Sequence, residues 1–517
     1  MPNVFPRGLR APLKFAAFAV LLASGACSHD FLDREPLGRY TAQNFFETEP
    51  QITQAVTAIY RHIRDQYRDN LWKLGEYRSD NTTFTFTPAN IRGALWDTDL
   101  FVAGTSVEGS GAIYNGAYTQ IARANVILAN LAAADFAGDE ELRARREAET
   151  RFLRAFWYWQ LIRNFGDAVL ITEPLYDEAE LIALRRRPVA EIMSEVIVPD
   201  CEAAIAGLPE DFGADWEVGR ARRATARMLL AKAHFTVRDY AAARPLLDSI
   251  VAEGRYALLP DFRQVFAPEN PFNAEILFAA QFDGEAGQGY GKLSDFLPTG
   301  SADEVSLEPT VSVGPSGGGV NRPTADLLRA FADTLDVRRD ATIGFYVAQG
   351  SSDTVLYPRK LIFTPLPDGA IGSSVDIPIF RYADVLLMRA EATVETSGGG
   401  DIPDAAFNDL NAVRGRAGLP LAFPFNPDPA LDLRTADEFR AFLREERRRE
   451  LALENYRWYD LVRYGVAESV MQAHGEEERT RGGYVDNFPD AYRNIPLLYP
   501  IPPEQVQQYG YRQNPGY

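Results

Sequence analysis

Along most of this chain apolar and small residues return every third or fourth position, the spacing that lines one face of a helix. The pattern predicts helices over 50–67, 114–134, 141–165, 188–207, 222–236, 239–253, 378–396, 403–417 and 435–463. Short connections between consecutive helices predict helical hairpins and call for a test of internal repetition. The clearest unit is 226–254, where Leu230 and Ala231 on one helix and Tyr240 and Ala243 on the next fall at the offsets of a tetratricopeptide repeat, whose period is about 34 residues. The small Ala231 and Ala243 let two helix backbones approach, while His234 replaces the usual Tyr and makes the match degenerate. Residues 381–420 repeat the design, with a Gly-rich turn at 398–400 and Gly418 and Pro420 as stop signals.

Two stretches break the period. Residues 68–113 and 260–375 are rich in Gly, Pro, Asp, Thr and aromatics, and loops of that length inside a folded chain usually carry function. Short strands are expected within the second, at 275–282 and 354–363.

The N-terminus changes the picture. Arg7, Arg10 and Lys14 precede an apolar run, Phe15 to Ala23, and small residues lead to Cys27. That is a secretory signal, too short to span a bilayer as a helix. Cys27 directly after the small residues looks like a bacterial lipobox, despite Ser24 where Leu is preferred. Acyl chains on Cys27 would anchor the chain, each buried CH₂ adding membrane affinity. The alternative is an ordinary signal peptide with a chance cysteine. With Cys27 acylated, Cys201 is the one cysteine left, so the fold must rest on its own core rather than a disulfide. The net charge of −19 argues against nucleic acid, whose phosphates it would repel.

Several constellations invite a chemical reading. On the helix opened by the Thr435–Glu438 capping box, Glu446 and Glu450 follow Phe439, Phe442 and Leu443 on one face. They can be an acid–base pair or, more simply, buried carboxylates paired with arginines such as Arg447, Arg449 and Arg457. Gly314–Gly318 fits a nucleophile-elbow pattern and Gly287–Gly291 a phosphate-loop pattern, but neither has the strand–turn–helix context that gives those motifs meaning. His234 reads as a packed helix residue, since no second His stands at metal-ligand spacing. Tyr67, Trp72, Tyr77, Phe84, Phe86 and Trp96 crowd the first irregular stretch among Arg78, Asp80, Asn81, Asn90 and Asp97. Aromatic faces beside planar polar groups suit sugars, although each ring taken singly can equally be core. Trp72 and Trp96 are the expected exposed pair, with Tyr290 and Phe296 completing a platform.

Seven segments in order resemble the SusD/RagB family of surface lipoproteins: CSHDFLDREP at 27–36, RFLRAFWYWQLIRNFGDAVL at 151–170, RYADVLLMRAEA at 381–392, FNDLNAVRGRAGLP at 407–420, ERRRELALENYRWYDLVRYG at 446–465, LLYPIPPEQ at 497–505 and QNPGY at 513–517. The resemblance implies a mainly α fold of four tetratricopeptide-like hairpins, an α-α superhelix, supporting an irregular loop-rich ligand-binding region. It implies a signal peptide over 1–26, a lipidated tether over 27–40 and one domain over 41–517. Within that domain, hairpins lie in 41–67, 114–255 and 378–420, ligand-binding parts in 68–113 and 260–375, and a C-terminal family segment in 435–517. It further implies lipidation at Cys27, export to the outer membrane facing outward with Asp30 and Asp33 as the acidic signal, and glycan capture for a SusC-like TonB-dependent transporter. The tetratricopeptide side would face that transporter. Catalysis, cofactor and metal are not expected. Trp72, Tyr77, Arg78, Asp80, Asn81, Trp96 and Tyr290 are the expected ligand contacts, and a glycoside hydrolase or a peptide-binding relative are the competing readings.

Overall fold

The computed structural model describes residues 45–84, 93–213, 216–283, 293–298, 319–347, 354–363, 374–480 and 484–517. The fold is mainly α. Its principal helices are α1 Glu49–Asp69, α2 Ala94–Asp99, α3 Ser110–Asn130, α4 Glu140–Phe165, α5 Val198–Gly207, α6 Arg223–Thr236, α7 Tyr240–Ala252, α8 Tyr382–Glu395, α9 Asp404–Arg416, α10 Ala436–Leu451, α11 Arg457–Tyr464 and α12 Ala467–Thr480. From α1 through α3 to α9 each long helix packs on the next, and α10 covers α8. This is a nearest-neighbour stack of hairpins, in which no pair could bury its apolar face alone.

The local chemistry explains the ends. Asp139 caps α4 by accepting from the Leu142 amide at 2.9 Å, Glu140 and Glu141 complement the helix dipole, and Gly166 at φ 71° ends the helix. The second half of α4 is buried around most of its circumference, and Phe152, Leu153, Phe156, Trp157, Tyr158 and Leu161 are fully buried. It therefore lies at the centre, between α3 on one side and α5 on the other. The third and fourth pairs follow from the expected units, with α6 and α7 covering 223–252 and α8 and α9 covering 382–416. His234 sits half-buried on α6 with Nδ1 3.3 Å from Asp239, and Cys201 is free and buried.

Three predicted helices come out differently. The 378–396 run begins as a strand, β4 Ile377–Arg381, which pairs antiparallel with β1 Ile276–Ala280, and turns helical only at Tyr382. A continuous apolar run reads alike in a buried strand and a buried helix. The predicted strand at 354–363 stops at Pro358 and forms a hairpin, β2 Ile343–Val347 with β3 Thr354–Pro358. In 188–207 a wider π turn over Met193–Ile197 precedes α5, where Pro199 removes one amide donor. The 435–463 run breaks into α10 and α11 because Leu453 at φ 65° and Asn455 at φ 67° adopt left-handed backbone. The Glu76 carboxylate holds that break by accepting from the amides of Leu453 at 2.8 Å and Asn455 at 3.1 Å. Gly75 beside it cannot carry a side chain, since a Cβ would lie 2.2 Å from the Asn455 carbonyl oxygen.

A buried ionic cluster fastens the stack to the irregular half. Arg381 at the end of β4 reaches Glu275 at 2.8 Å, Glu450 at 2.6 Å and Glu454 at 2.6 Å. Arg338 joins Asp336 at 2.7 Å, Glu446 at 2.7 Å and Glu450 at 3.0 Å, and Lys360 holds Glu454 at 2.8 Å. Arg416 pairs with Glu275 and Glu450, and Arg414 and Arg449 with Glu446. Burial alone would push the Glu450 carboxyl up, but Arg416, Arg381 and Arg338 outweigh it and hold it well below the usual range. The same contest holds Glu446 at about 2, with Arg338 the strongest partner.

Candidate functional site

The structure moves the expected sugar platform indoors. Trp72 is buried, edge-on to Tyr77 at 5.7 Å and Phe296 at 5.1 Å between ring centroids. Trp96 is buried and stacks on Phe84 at 4.3 Å. The pair is not exposed: Trp72 belongs to the main core together with Tyr77, and Trp96 is covered by Phe84, which packs against that core. Tyr77 is fully buried. Asp80 is clamped by Arg457 through two bonds of 2.7 Å and by Arg448 at 2.9 Å. Burial raises the Asp80 carboxyl, yet those arginines and His474 bring it far below the usual range. Asn81 donates to Glu76 at 2.8 Å and accepts from Arg448 at 2.8 Å. Tyr290 and Cys27 lie outside the described residues.

Arg78 is the expected residue that reaches a cleft. Its guanidinium lies 4.3 Å from the Phe101 ring centroid, 4.8 Å from Tyr499 and 5.1 Å from Trp458. It donates to the Pro496 carbonyl at 3.2 Å and to the Tyr517 hydroxyl at 3.3 Å. The cleft in front of it has a volume of about 600 Å³ and is lined by Asp97 and Thr98 of α2, Phe101, Phe488, Asp490, Asn494 and Tyr517. That size suits a small ligand or a short stretch of a polymer. Phe101 takes φ 59°, directly after α2, which sets its ring against Arg78. Asp490 and Asn494 are exposed on the rim, and Phe101, Asp97 and Tyr517 are half-buried. Beneath the floor, Asp99 is fully buried and accepts from the hydroxyls of Thr83 at 3.3 Å and Tyr492 at 3.4 Å. Burial, then the charge of Glu478, pushes its carboxyl well above the usual range. The cleft can thus offer ring faces to C–H surfaces and carboxylate, amide and hydroxyl groups to hydroxyls. No signal in the sequence other than the QNPGY segment brought Tyr517 forward, and Phe488, Asp490 and Asn494 carry none.

A second cleft of about 600 Å³ adjoins the first and shares Asn494, Pro496 and Gly516 with it. Its walls are Trp159 and Arg163 of α4, Lys232 and Phe235 of α6, Met388 of α8 and the residues around α11. Glu446 and Glu450, by contrast, are buried in the ionic cluster. Of the three arginines expected to pair with them, Arg449 does so, binding Glu446. Arg447 serves Asp384 and Asp460 instead, and Arg457 serves Asp80. A hydrolytic pair would need room for a sugar between its carboxylates. Among the described residues no group of His, Cys, Asp and Glu could hold a metal ion, and no helix is long and apolar enough to cross a membrane.

Comparison with known proteins agrees with this architecture. Residues 346–517 match the family model described as the SusD family, and residues 30–234 match the model described as starch-binding and associating with the outer membrane. SusD-like protein P2 of Formosa agariphila is 28% identical, over 98% of this chain and 99% of that protein. Among solved structures, a laminarin binding SusD-like protein superposes with a TM-score of 0.72 at 25% identity, over 91% of this chain and all of the other. The surface glycan-binding protein A of Bacteroides fluxus does so with a TM-score of 0.70 at 25% identity, over the same shares. The two matched segments together span more than half of the chain and take in most of the hairpin stack, α10 and the first cleft, with α7, Glu275 and Arg338 between them, and by the two together the chain belongs to the SusD/RagB family.

Proposed function

We propose that this protein captures oligosaccharides at the cleft beside Arg78 and delivers them to a SusC-like TonB-dependent transporter, without cleaving them. The observation that carries the reading is the cleft itself, with Phe101 and Tyr517 beside Asp97, Asp490 and Asn494. The structural likeness to a laminarin binding SusD-like protein and to a surface glycan-binding protein supports it, as does the match to a starch-binding family associating with the outer membrane. In this reading Cys27 carries the acyl anchor, the domain faces the exterior, and residues 28–40 let it move over its partner. Burial of Glu446 and Glu450 among arginines removes them as a hydrolytic pair.

Titrating residues 28–517 with a glycan panel tests the reading. Binding should weaken about tenfold in Tyr517→Ala and Asp97→Ala, the loss of one stacked ring or one charged hydrogen bond. Release of reducing ends by the wild-type chain would refute the non-catalytic part, and failure of an outer-membrane barrel to co-purify with the tagged full-length chain would refute the delivery part. Shortening 28–40 should impair uptake while leaving binding by the isolated domain intact.

A further inference from the structure

The second cleft is built around a guanidinium that lacks an acid. Most cations on its walls are matched. Lys232 pairs with Asp384, Arg447 with Asp384 at 2.5 Å and Asp460 at 2.7 Å, and Arg463 with Asp460 at 2.8 Å and Glu391. Arg163 differs. Its guanidinium packs on the rings of Trp159 at 4.0 Å and Tyr459 at 4.1 Å, and its Nε donates to the Gln160 side chain at 3.0 Å. Among the described residues no carboxylate reaches it within ion-pair distance. Arg238, exposed on the same wall, bonds only the Val462 carbonyl at 3.4 Å and also lacks a carboxylate.

Acids outnumber Lys and Arg in this chain, 72 to 53, so an unmatched arginine on a cleft wall is not forced by a shortage of partners. A guanidinium held between two rings and a Gln160 bond is restrained and presents its remaining N–H groups in its own plane, the arrangement that receives a carboxylate through two parallel bonds. The remaining walls are Phe235, Met388, Val462 and Leu497, apolar faces of the kind that pack on sugar C–H surfaces. The shared wall of Asn494, Pro496 and Gly516 places the two clefts next to each other.

We infer that this second cleft takes a uronate, the carboxylate-bearing residue of an acidic oligosaccharide, with Arg163 as its main partner and Arg238 adding charge at the rim, while neighbouring residues of the same ligand occupy the first cleft. The inference rests on the glycan-binding reading and narrows it. Calorimetric titration of the mature chain with matched neutral, uronate-bearing and sulfated oligosaccharides tests it, using wild type, Arg163→Lys, Arg238→Ala and Tyr517→Ala. The uronate-bearing ligands should bind about tenfold tighter than their neutral counterparts, an advantage that weakens with salt, disappears in Arg163→Lys and shrinks in Arg238→Ala. Arg163→Lys keeps charge and stem but loses the paired donors, and its circular dichroism spectrum should match wild type. An unchanged uronate advantage in a folded Arg163→Lys chain overturns the inference, as does a preference for sulfate over carboxylate. If neutral glycans bind, and lose affinity in Tyr517→Ala, while uronates gain nothing, the second cleft alone is misassigned. If no glycan of any kind binds, the capture reading falls and takes this inference with it.

Discussion

Replacing Arg381 by Met tests whether the ionic cluster holds the molecule together. Arg381 makes five hydrogen bonds to Glu275, Glu450 and Glu454, and Met fills much of the stem's volume without its charge. Removing one partner of a buried ion pair costs about 3–5 kcal/mol. Each carboxylate here keeps a second cation: Arg416 for Glu275, Arg338 and Arg416 for Glu450, Lys360 for Glu454. The lower figure, about 3 kcal/mol, is therefore the expected one. With an unfolding entropy of about 2.1 cal/mol/K per residue over roughly 470 folded residues, 1 kcal/mol is about one degree, so Tm should fall about 3 °C at pH 8. The pH dependence has a definite sign. Arg381 lowers the pKa of Glu275 and Glu450, so its loss favours their protonated forms in the folded variant, protonation relieves their unpaired charge, and the gap to wild type narrows as pH falls towards 5. Scanning calorimetry at both pH values reads this directly. A drop below about 1 °C at pH 8, the size expected of a surface pair, would refute the reasoning, as would a gap that widens in acid. Glycan affinity at 25 °C should not change, because the cluster lies outside both clefts.

Other outcomes follow from single sites. Burial pushes the Glu76 carboxyl up to about 7 from 4.5, against the bonds it accepts from Asn81 and Leu453. Between those values the folded state holds a proton that the unfolded state has lost, so stability falls as pH rises through this window and levels off above it. Glu76→Gln should erase that slope, its Tm gaining on wild type by about 3 °C between pH 4 and 8; parallel curves would contradict the assignment. Trp72→Ala should destabilise the fold by about 3–5 kcal/mol, measured by denaturant unfolding, and leave glycan affinity within twofold, since the ring is core. Burial raises the Cys201 thiol well above its usual value, so a maleimide should label residues 28–517 only after unfolding; rapid labelling of the native chain would show that α5 opens.

Much of the scaffold was legible because period-3.6 patterning and paired stop signals act over short distances. The α4 segment 151–165 and the α6–α7 hairpin announced themselves through apolar and small residues that keep a helical spacing over more than three turns. The site was less legible for a physical reason. Trp72, Tyr77, Asp80 and Asn81 have the composition of a sugar platform, but composition does not say which way a side chain faces once an arginine 377 residues further on, Arg457, reaches back to Asp80. Arg78 makes that reach explicit, since its carbonyl partner is Pro496. The split at Leu453 and Asn455 was hidden likewise, because left-handed backbone there depends on Glu76, far away in sequence.

The ionic cluster also sets an order of events during synthesis. Glu275, Arg338, Lys360 and Arg381 emerge early, yet the acids that neutralise three of them, Glu446, Glu450 and Glu454, come late. The hairpins of α1 to α7 can form as they appear, from neighbouring contacts alone, whereas the irregular half waits for the last seventy residues to close loops of long contour. A chain halted before residue 446 would expose buried-type cations on an unfinished surface, and that open form is the one most vulnerable to proteases.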